Sequence, residues 1–177
     1  MAQNKLKKRI FPLTTNYEKL QFDQEGLWSI THPNQADIIS DLIKDHYISK
    51  NYTSPENIFI VDATAGLGGN LISFSKFFGI VLGIEINKNR FEMLQNNIEQ
   101  YNINNVTLLN KNCIEFLQSN TKSNIVFFDP PWGGPDYKFN PNIEIKIDDK
   151  SLSDIINLLE FKTKLICIKL PLNYNME

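Results

Sequence analysis

Nine consecutive residues, Asp129-Pro130-Pro131-Trp132-Gly133-Gly134-Pro135-Asp136-Tyr137, gather side chains suited to hold a flat, amine-bearing base. They follow Ile125-Val126-Phe127-Phe128, an apolar run that reads as a buried strand. Open α/β sheets bind ligands at such carboxyl ends. The prolines donate no hydrogen bond and fix φ. The Pro130 carbonyl and the Asp129 carboxylate are therefore acceptors for an exocyclic amine. Such an amine is a weak nucleophile, because its lone pair is delocalised into the ring. Orienting it in line with the bond to be broken is the main catalytic device. Trp132 offers a stacking face, best suited to a cationic ring. The bland alternative is a structural loop whose tryptophan packs in the core.

A second constellation runs from Val61 to Asn70, Val-Asp-Ala-Thr-Ala-Gly-Leu-Gly-Gly-Asn. Gly66 and Gly68 let the backbone turn sharply beside Asp62, Ala63 and Thr64. Glu85 ends the next strand, where a carboxylate can accept from two ribose hydroxyls. The spacing Gly66-x-Gly68-Gly69 is not the phosphate-binding G-x-G-x-x-G. Asp62 would repel a pyrophosphate but welcome a cation. S-adenosylmethionine has no phosphate and carries a sulfonium and an ammonium, so it fits better than a nicotinamide dinucleotide. Asn112, after the third strand, either bonds an adenine edge or is a surface turn residue.

These groups need a frame, and the pattern supplies an α/β one. Strands read at 58–61, 80–84, 106–109, 125–128 and 164–170. Helices read at about 33–47, 69–78, 89–101, 113–118 and 151–159. Ala36, Ile39, Leu42 and Ile43 form the first helix's apolar stripe. Strands alternating with helices imply a mostly parallel, Rossmann-like sheet of about five strands. Before it, Leu6 to Phe11 reads as a short basic helix, Asp23 to Gly26 as a turn, and Trp28 and Ile30 as a short extended edge. We divide the chain into an N-terminal extension, 1–32, and a catalytic domain, 33–177.

The 177 residues are 42% hydrophobic and 21% charged, with net charge −2. That excludes a general polyanion binder. Any nucleic acid must be gripped locally, and Lys5, Lys7, Lys8 and Arg9 form the best patch, otherwise a solvated tail. Cys113 and Cys167 lack metal-like spacing and read as small core residues, in keeping with a reducing, intracellular compartment, cytoplasmic or nuclear, or a host's cytoplasm for a viral chain. No apolar run approaches a membrane span.

The run Pro130 to Tyr137 resembles the signature of trimethylguanosine synthases, which methylate N2 of 7-methylguanosine caps. Phe22 to Thr31 looks like that family's Leu-Asp-x-Glu-Gly-Trp-Phe-Ser-Val-Thr-Pro stretch. Val61 to Asn70 is similar to its cofactor loop, and Leu170-Pro171-Leu172-Asn173 to its Leu-Pro-Arg-Asn. The resemblance implies a class I methyltransferase that uses S-adenosylmethionine, no metal and no covalent intermediate, on 7-methylguanosine-capped RNA. By position, Trp132 would stack on the 7-methylguanine and Asn173 would line its pocket. Thr31 and Ser29 would lie near the cofactor's methionine part. Asp129 stands where many members have serine, and would accept from N2 and from N1–H. Leu172 replaces the arginine that would suit cap phosphates, which leaves Lys5, Lys8 and Arg9 as substitutes. Class I enzymes usually add a β-hairpin after the fifth strand; without it, the exposed edge invites a second copy or a partner chain. Two rival readings remain at this stage. One is an enzyme acting on guanine or adenine amines in rRNA, tRNA or DNA. The other is an inactive cap-binding or assembly subunit.

Overall fold

The computed structural model describes residues 2–119, 122–140 and 143–175. Five parallel strands form one sheet: β1 (Phe59–Asp62), β2 (Ile80–Ile84), β3 (Val106–Leu109), β4 (Ile125–Phe128) and, last in the chain, β7 (Leu165–Ile168). Their order is β3-β2-β1-β4-β7. The expected Rossmann-like architecture is present.

Side-chain alternation along the strands splits the core into two layers. On one face Ile60, Val81, Ile125 and Phe127 belong to a cluster with Ile43 and Tyr47 of α3 (Pro33–Asn51), Leu71 and Phe74 of α4 (Gly69–Phe77), and Leu94 and Ile98 of α5 (Lys88–Glu99). Ile10, Phe11 and Leu20 join this cluster. On the other face Val61, Leu82, Val126 and Phe128 pack with Ile114 of α6 (Cys113–Gln118) and Ile155 of α7 (Leu152–Leu159). The central strands are buried on both faces, which explains their unbroken apolar runs.

The structure corrects several details. Asp23 to Gly26 is not a free turn. Asp23 caps the helix α2 (Gln24–Ser29), its carboxylate accepting from Gly26 N at 2.7 Å. Trp28, expected in an extended edge, lies within that helix. The inward stripe of α3 is Ala36, Ser40, Ile43 and Tyr47, while Leu42 is exposed, because helical rotation carries it off that face. An additional antiparallel pair, β5 (Lys146–Ile147) with β6 (Lys150–Ser151), precedes α7. Its two-residue turn, Asp148-Asp149, has positive φ at both positions (51° and 60°), as the twist of a tight hairpin demands. The basic N-terminal helix, α1 (Ala2–Ile10), is longer than expected. Among the described residues no helix is long and apolar enough to cross a membrane.

Candidate active site

The strand order reverses between β1 and β4, so this is the sheet's switch point, where a crevice opens at the carboxyl ends. Asp62 ends β1, Glu85 follows β2, Asp129 follows β4 and Lys169 follows β7. Backbone bonds lock these ends together. Ala63 N donates to Phe127 O at 2.9 Å and Lys169 N to Phe128 O at 2.8 Å. Asp129 N donates to Thr64 Oγ1 at 2.7 Å.

Around Asp129 lies a compact polar knot. Its Oδ2 accepts from Thr31 Oγ1 at 2.9 Å, Asn70 Nδ2 at 3.2 Å and Lys169 Nζ at 2.7 Å. Thr31 Oγ1 in turn accepts from Lys169 Nζ at 2.7 Å and Asn70 Nδ2 at 3.1 Å. Three residues far apart in sequence thus hold one carboxylate.

Two cavities meet at this knot. One, of about 380 Å³, is lined by Ala63, Thr64, Gly66, Glu85, Asn112 and the β5–β6 hairpin residues Lys146 to Asp148. The other, of about 1010 Å³, is lined by Thr31, Pro130, Trp132, Tyr137, Lys138 and Lys169. Both share Glu25, Ser29, Asp129 and Pro131. An electrophile in the smaller cavity and an acceptor in the larger would face each other across Asp129.

The smaller cavity, lined by Glu25, Glu85, Asp129 and Asp148 beside Arg90, Lys111 and Lys146, is not built as a phosphate loop. Gly66 N–H, the kind of donor a phosphate loop aims at its ligand, is already given to Glu85 Oε2 at 3.0 Å. Glu85 Oε1 accepts from Asn87 N at 2.8 Å. Burial pushes the Glu85 carboxyl above its ordinary range. Asp62 lines neither cavity. It is buried behind the loop, with Oδ1 accepting from Thr64 N at 3.2 Å and Oδ2 without a partner among the described residues. Burial raises its pKa to about 8. Asn70 is likewise inside, its Oδ1 unpartnered. Gly68 has φ 96°, and a Cβ there would come within 2.9 Å of Leu94, so any side chain would strain the turn. A Cβ on Gly69 would approach the Thr31 carbonyl to 2.8 Å, so its absence lets α4 start against Thr31. Asn112 caps α6, its Oδ1 accepting from Ile114 N at 2.8 Å, and also lines the cavity; both readings of it have a structural counterpart.

In the larger cavity Trp132 stands edge-to-face with Tyr137, ring centroids 5.1 Å apart. Lys169 Nζ lies 5.2 Å from the Trp132 ring centre. Asn173 does not line the cavity. Its amide donates to the carbonyls of Tyr137 at 3.0 Å and Asn140 at 2.7 Å, so it braces the tryptophan loop from behind. Leu172 is fully exposed at the rim. Lys5, Lys8 and Arg9 are exposed but line neither cavity, and Lys7 is turned inward onto Glu18 O at 2.9 Å. The end of α1 still adjoins the acceptor rim, because His32 Nδ1 donates to the Arg9 carbonyl at 3.2 Å.

Sequence reasoning missed Lys169, Glu25 and Arg90. Lys169 falls within the strand read at 164–170, and its signal is a lone charge at the carboxyl end of that apolar run. Glu25 stands in the Phe22 to Thr31 stretch that resembles the family, with no role assigned to it there, and Arg90 carries no signal. Arg90 Nη2 donates to Glu25 Oε2 at 2.7 Å and Asp23 Oδ2 at 3.0 Å, pinning α2 over the cavity junction. Burial alone would push Asp23 up, but the Arg90 hydrogen bond and charge hold it below its ordinary value.

Comparison with known proteins agrees with this geometry. Residues 57–177, more than half the chain, match the family model described as RNA cap guanine-N2 methyltransferase. Uncharacterized protein L320 of Acanthamoeba polyphaga mimivirus is 32% identical over 97% of this chain and 75% of its own length. The trimethylguanosine synthase of Schizosaccharomyces pombe is 31% identical over 68% of this chain, which spans only 49% of that protein. Among solved structures, the precorrin-6y C5,15-methyltransferase of Geobacter metallireducens shares the fold, with TM-score 0.56 and 18% identity over 93% of this chain and 74% of that one. With a strand-end site of this form and a family match across its whole sheet, the chain belongs to the RNA cap guanine-N2 methyltransferase family.

Proposed function

We propose that this chain transfers a methyl group from S-adenosylmethionine to the exocyclic N2 of 7-methylguanosine in an RNA 5′ cap. The observation that carries this reading is the junction of the two cavities at Asp129 and Pro131, with Trp132 on the acceptor side only.

The cofactor supplies a methyl carbon on a sulfonium; N2 attacks it, the C–S bond breaks and the electron pair stays on sulfur. Glu85 and Asn112 hold the nucleoside end, and Thr64 and Gly66 give it a close backbone wall. Asp62 lies one layer deeper, as a buried carboxyl whose ionised form favours a nearby cation. On the acceptor side the base stacks on Trp132, gaining from its positive charge as well as from area. Asp129 and the Pro130 carbonyl accept from the amine and fix its lone pair toward the methyl group. The proton given up by N2 has the Asp129 carboxylate at the same junction to receive it. Cap phosphates leave the cavity past Lys138, toward the end of α1 with Lys5, Lys8 and Arg9.

The test is incubation with labelled S-adenosylmethionine and either m7GTP or unmethylated GTP, followed by mass analysis of the nucleotide. Methylation of m7GTP with GTP left unchanged is expected. Equal transfer to both, or transfer only to longer RNA or DNA, defeats the cap reading in favour of a general amine methyltransferase, the pattern Asp129 shares.

A further inference from the structure

We infer that Lys169 is a specificity-determining residue, which donates to the O6 carbonyl of the acceptor base and, beside Asp129, makes the site choose guanine. This deepens the cap reading and rests on it.

A lysine ammonium has three donors. Two are placed, on Asp129 Oδ2 and Thr31 Oγ1, both at 2.7 Å. The Lys169 side chain keeps 23% of its surface exposed and lines the acceptor cavity, so its third donor is available there. Asp129 Oδ2 already accepts three hydrogen bonds. No described residue donates to Oδ1. The acceptor cavity therefore presents a donor at Lys169 and acceptors at Asp129 Oδ1 and the Pro130 carbonyl.

Guanine is the amine-bearing base whose pairing edge complements that set of groups. It shows an acceptor at O6, then donors at N1–H and N2–H. Adenine and cytosine instead place a ring-nitrogen lone pair beside their amine, which would face the Asp129 carboxylate. Position agrees with chemistry. Lys169 Nζ lies over the Trp132 ring, 5.2 Å from its centre, so its ammonium is within reach of a base that enters the cavity beside that ring. The ion pair also explains how a carboxylate is accommodated at position 129, since Lys169 balances its charge.

The probe is 7-methyl-6-thioguanosine triphosphate, which keeps N1–H and the N2 amine but replaces O6 with a poorly accepting sulfur. Values of kcat/KM for it and for m7GTP are compared in the wild type, Lys169→Met and Lys169→Arg. The wild type is expected to favour m7GTP about ten- to hundredfold, the span of a charge-assisted hydrogen bond. Lys169→Met should lose activity on m7GTP and level the two substrates, while Lys169→Arg, which keeps a donor, should retain the preference. A wild type indifferent to sulfur, or a Lys169→Met that slows both substrates equally and keeps the preference, overturns the role of Lys169. If the wild type methylates neither nucleotide but does methylate uncapped RNA or DNA, the cap reading falls and the inference falls with it.

Discussion

Thr31 Oγ1 donates to Asp129 Oδ2 at 2.9 Å across 98 residues of sequence, and the same hydroxyl accepts from Lys169 and Asn70. One buried hydroxyl thus sets the angle of the carboxylate at the junction of the two cavities. Thr31→Val removes it with almost no change in shape. Unmet hydrogen bonds in such a place cost about 1–3 kcal/mol. A lower melting temperature is expected, together with a fall in kcat of roughly tenfold, since orientation is the main device of this reaction. A variant with unchanged kcat would show that Asp129 needs no such bracing.

Trp132→Ala removes the proposed stacking platform but leaves the smaller cavity, which Trp132 does not line. Stacking of a base on an aromatic ring is worth about 1–3 kcal/mol by alanine substitution. Affinity for m7GDP should fall about ten- to hundredfold, while affinity for S-adenosylmethionine stays within a factor of two. Titration calorimetry with each ligand separates the effects. A fall in both affinities together would place Trp132 in a structural role.

Asp62 is expected to make stability and cofactor binding pH-dependent. Burial raises its pKa to about 8 in the folded protein, well above its ordinary value near 3.8. Between those values the folded state binds the extra proton, so the stability of the cofactor-free protein falls as pH rises through this window. A bound sulfonium and ammonium favour the ionised form, so binding releases a proton and tightens as pH rises from 6 toward 8. Asp62→Asn should flatten both trends. Calorimetry in two buffers of different ionisation enthalpy reads the released proton directly; equal apparent enthalpies in both buffers would contradict it.

Arg90 is the clamp on α2. Its side chain is largely buried and pairs with Asp23 at 3.0 Å and Glu25 at 2.7 Å. Glu25 is mostly exposed, so the Asp23 pair carries more of the effect. Arg90→Ala is expected to free α2, the wall shared by both cavities, raising the rate of proteolytic cleavage within 23–30 and weakening cofactor affinity several-fold. Unchanged cleavage would mean that packing of Gly26 against Leu67 suffices to hold the helix.

Much of this protein was legible in the chain itself. Buried strands such as β1, β2 and β4 announce themselves as short apolar runs, because both faces of a central parallel strand lie in the core. Gly66, Glu85 and the Asp129 to Trp132 turn could be picked out as ligand-facing candidates from residue type alone, since charge and donor capacity are local properties, and all of them line the two cavities. The helix at 24–29 escaped because it is a single short turn held by a long-range ion pair, and the β5–β6 hairpin because its turn is Asp-Asp rather than a glycine signal.

Position relative to other elements was not legible. Asn173 carries the right chemistry for a pocket, yet folding turns its amide onto the backbone of the tryptophan loop. Lys7 belongs to a basic run, yet the amphipathic turn of α1 faces it inward. Lys169 carries no motif, and only the pairing of β7 with β4 brings it against Asp129 and Trp132. The sequence by itself determined which chemical groups are available and that they sit at strand ends. The tertiary structure decided which of them share a cavity, because strand order and register place side chains side by side that the chain keeps up to 138 residues apart.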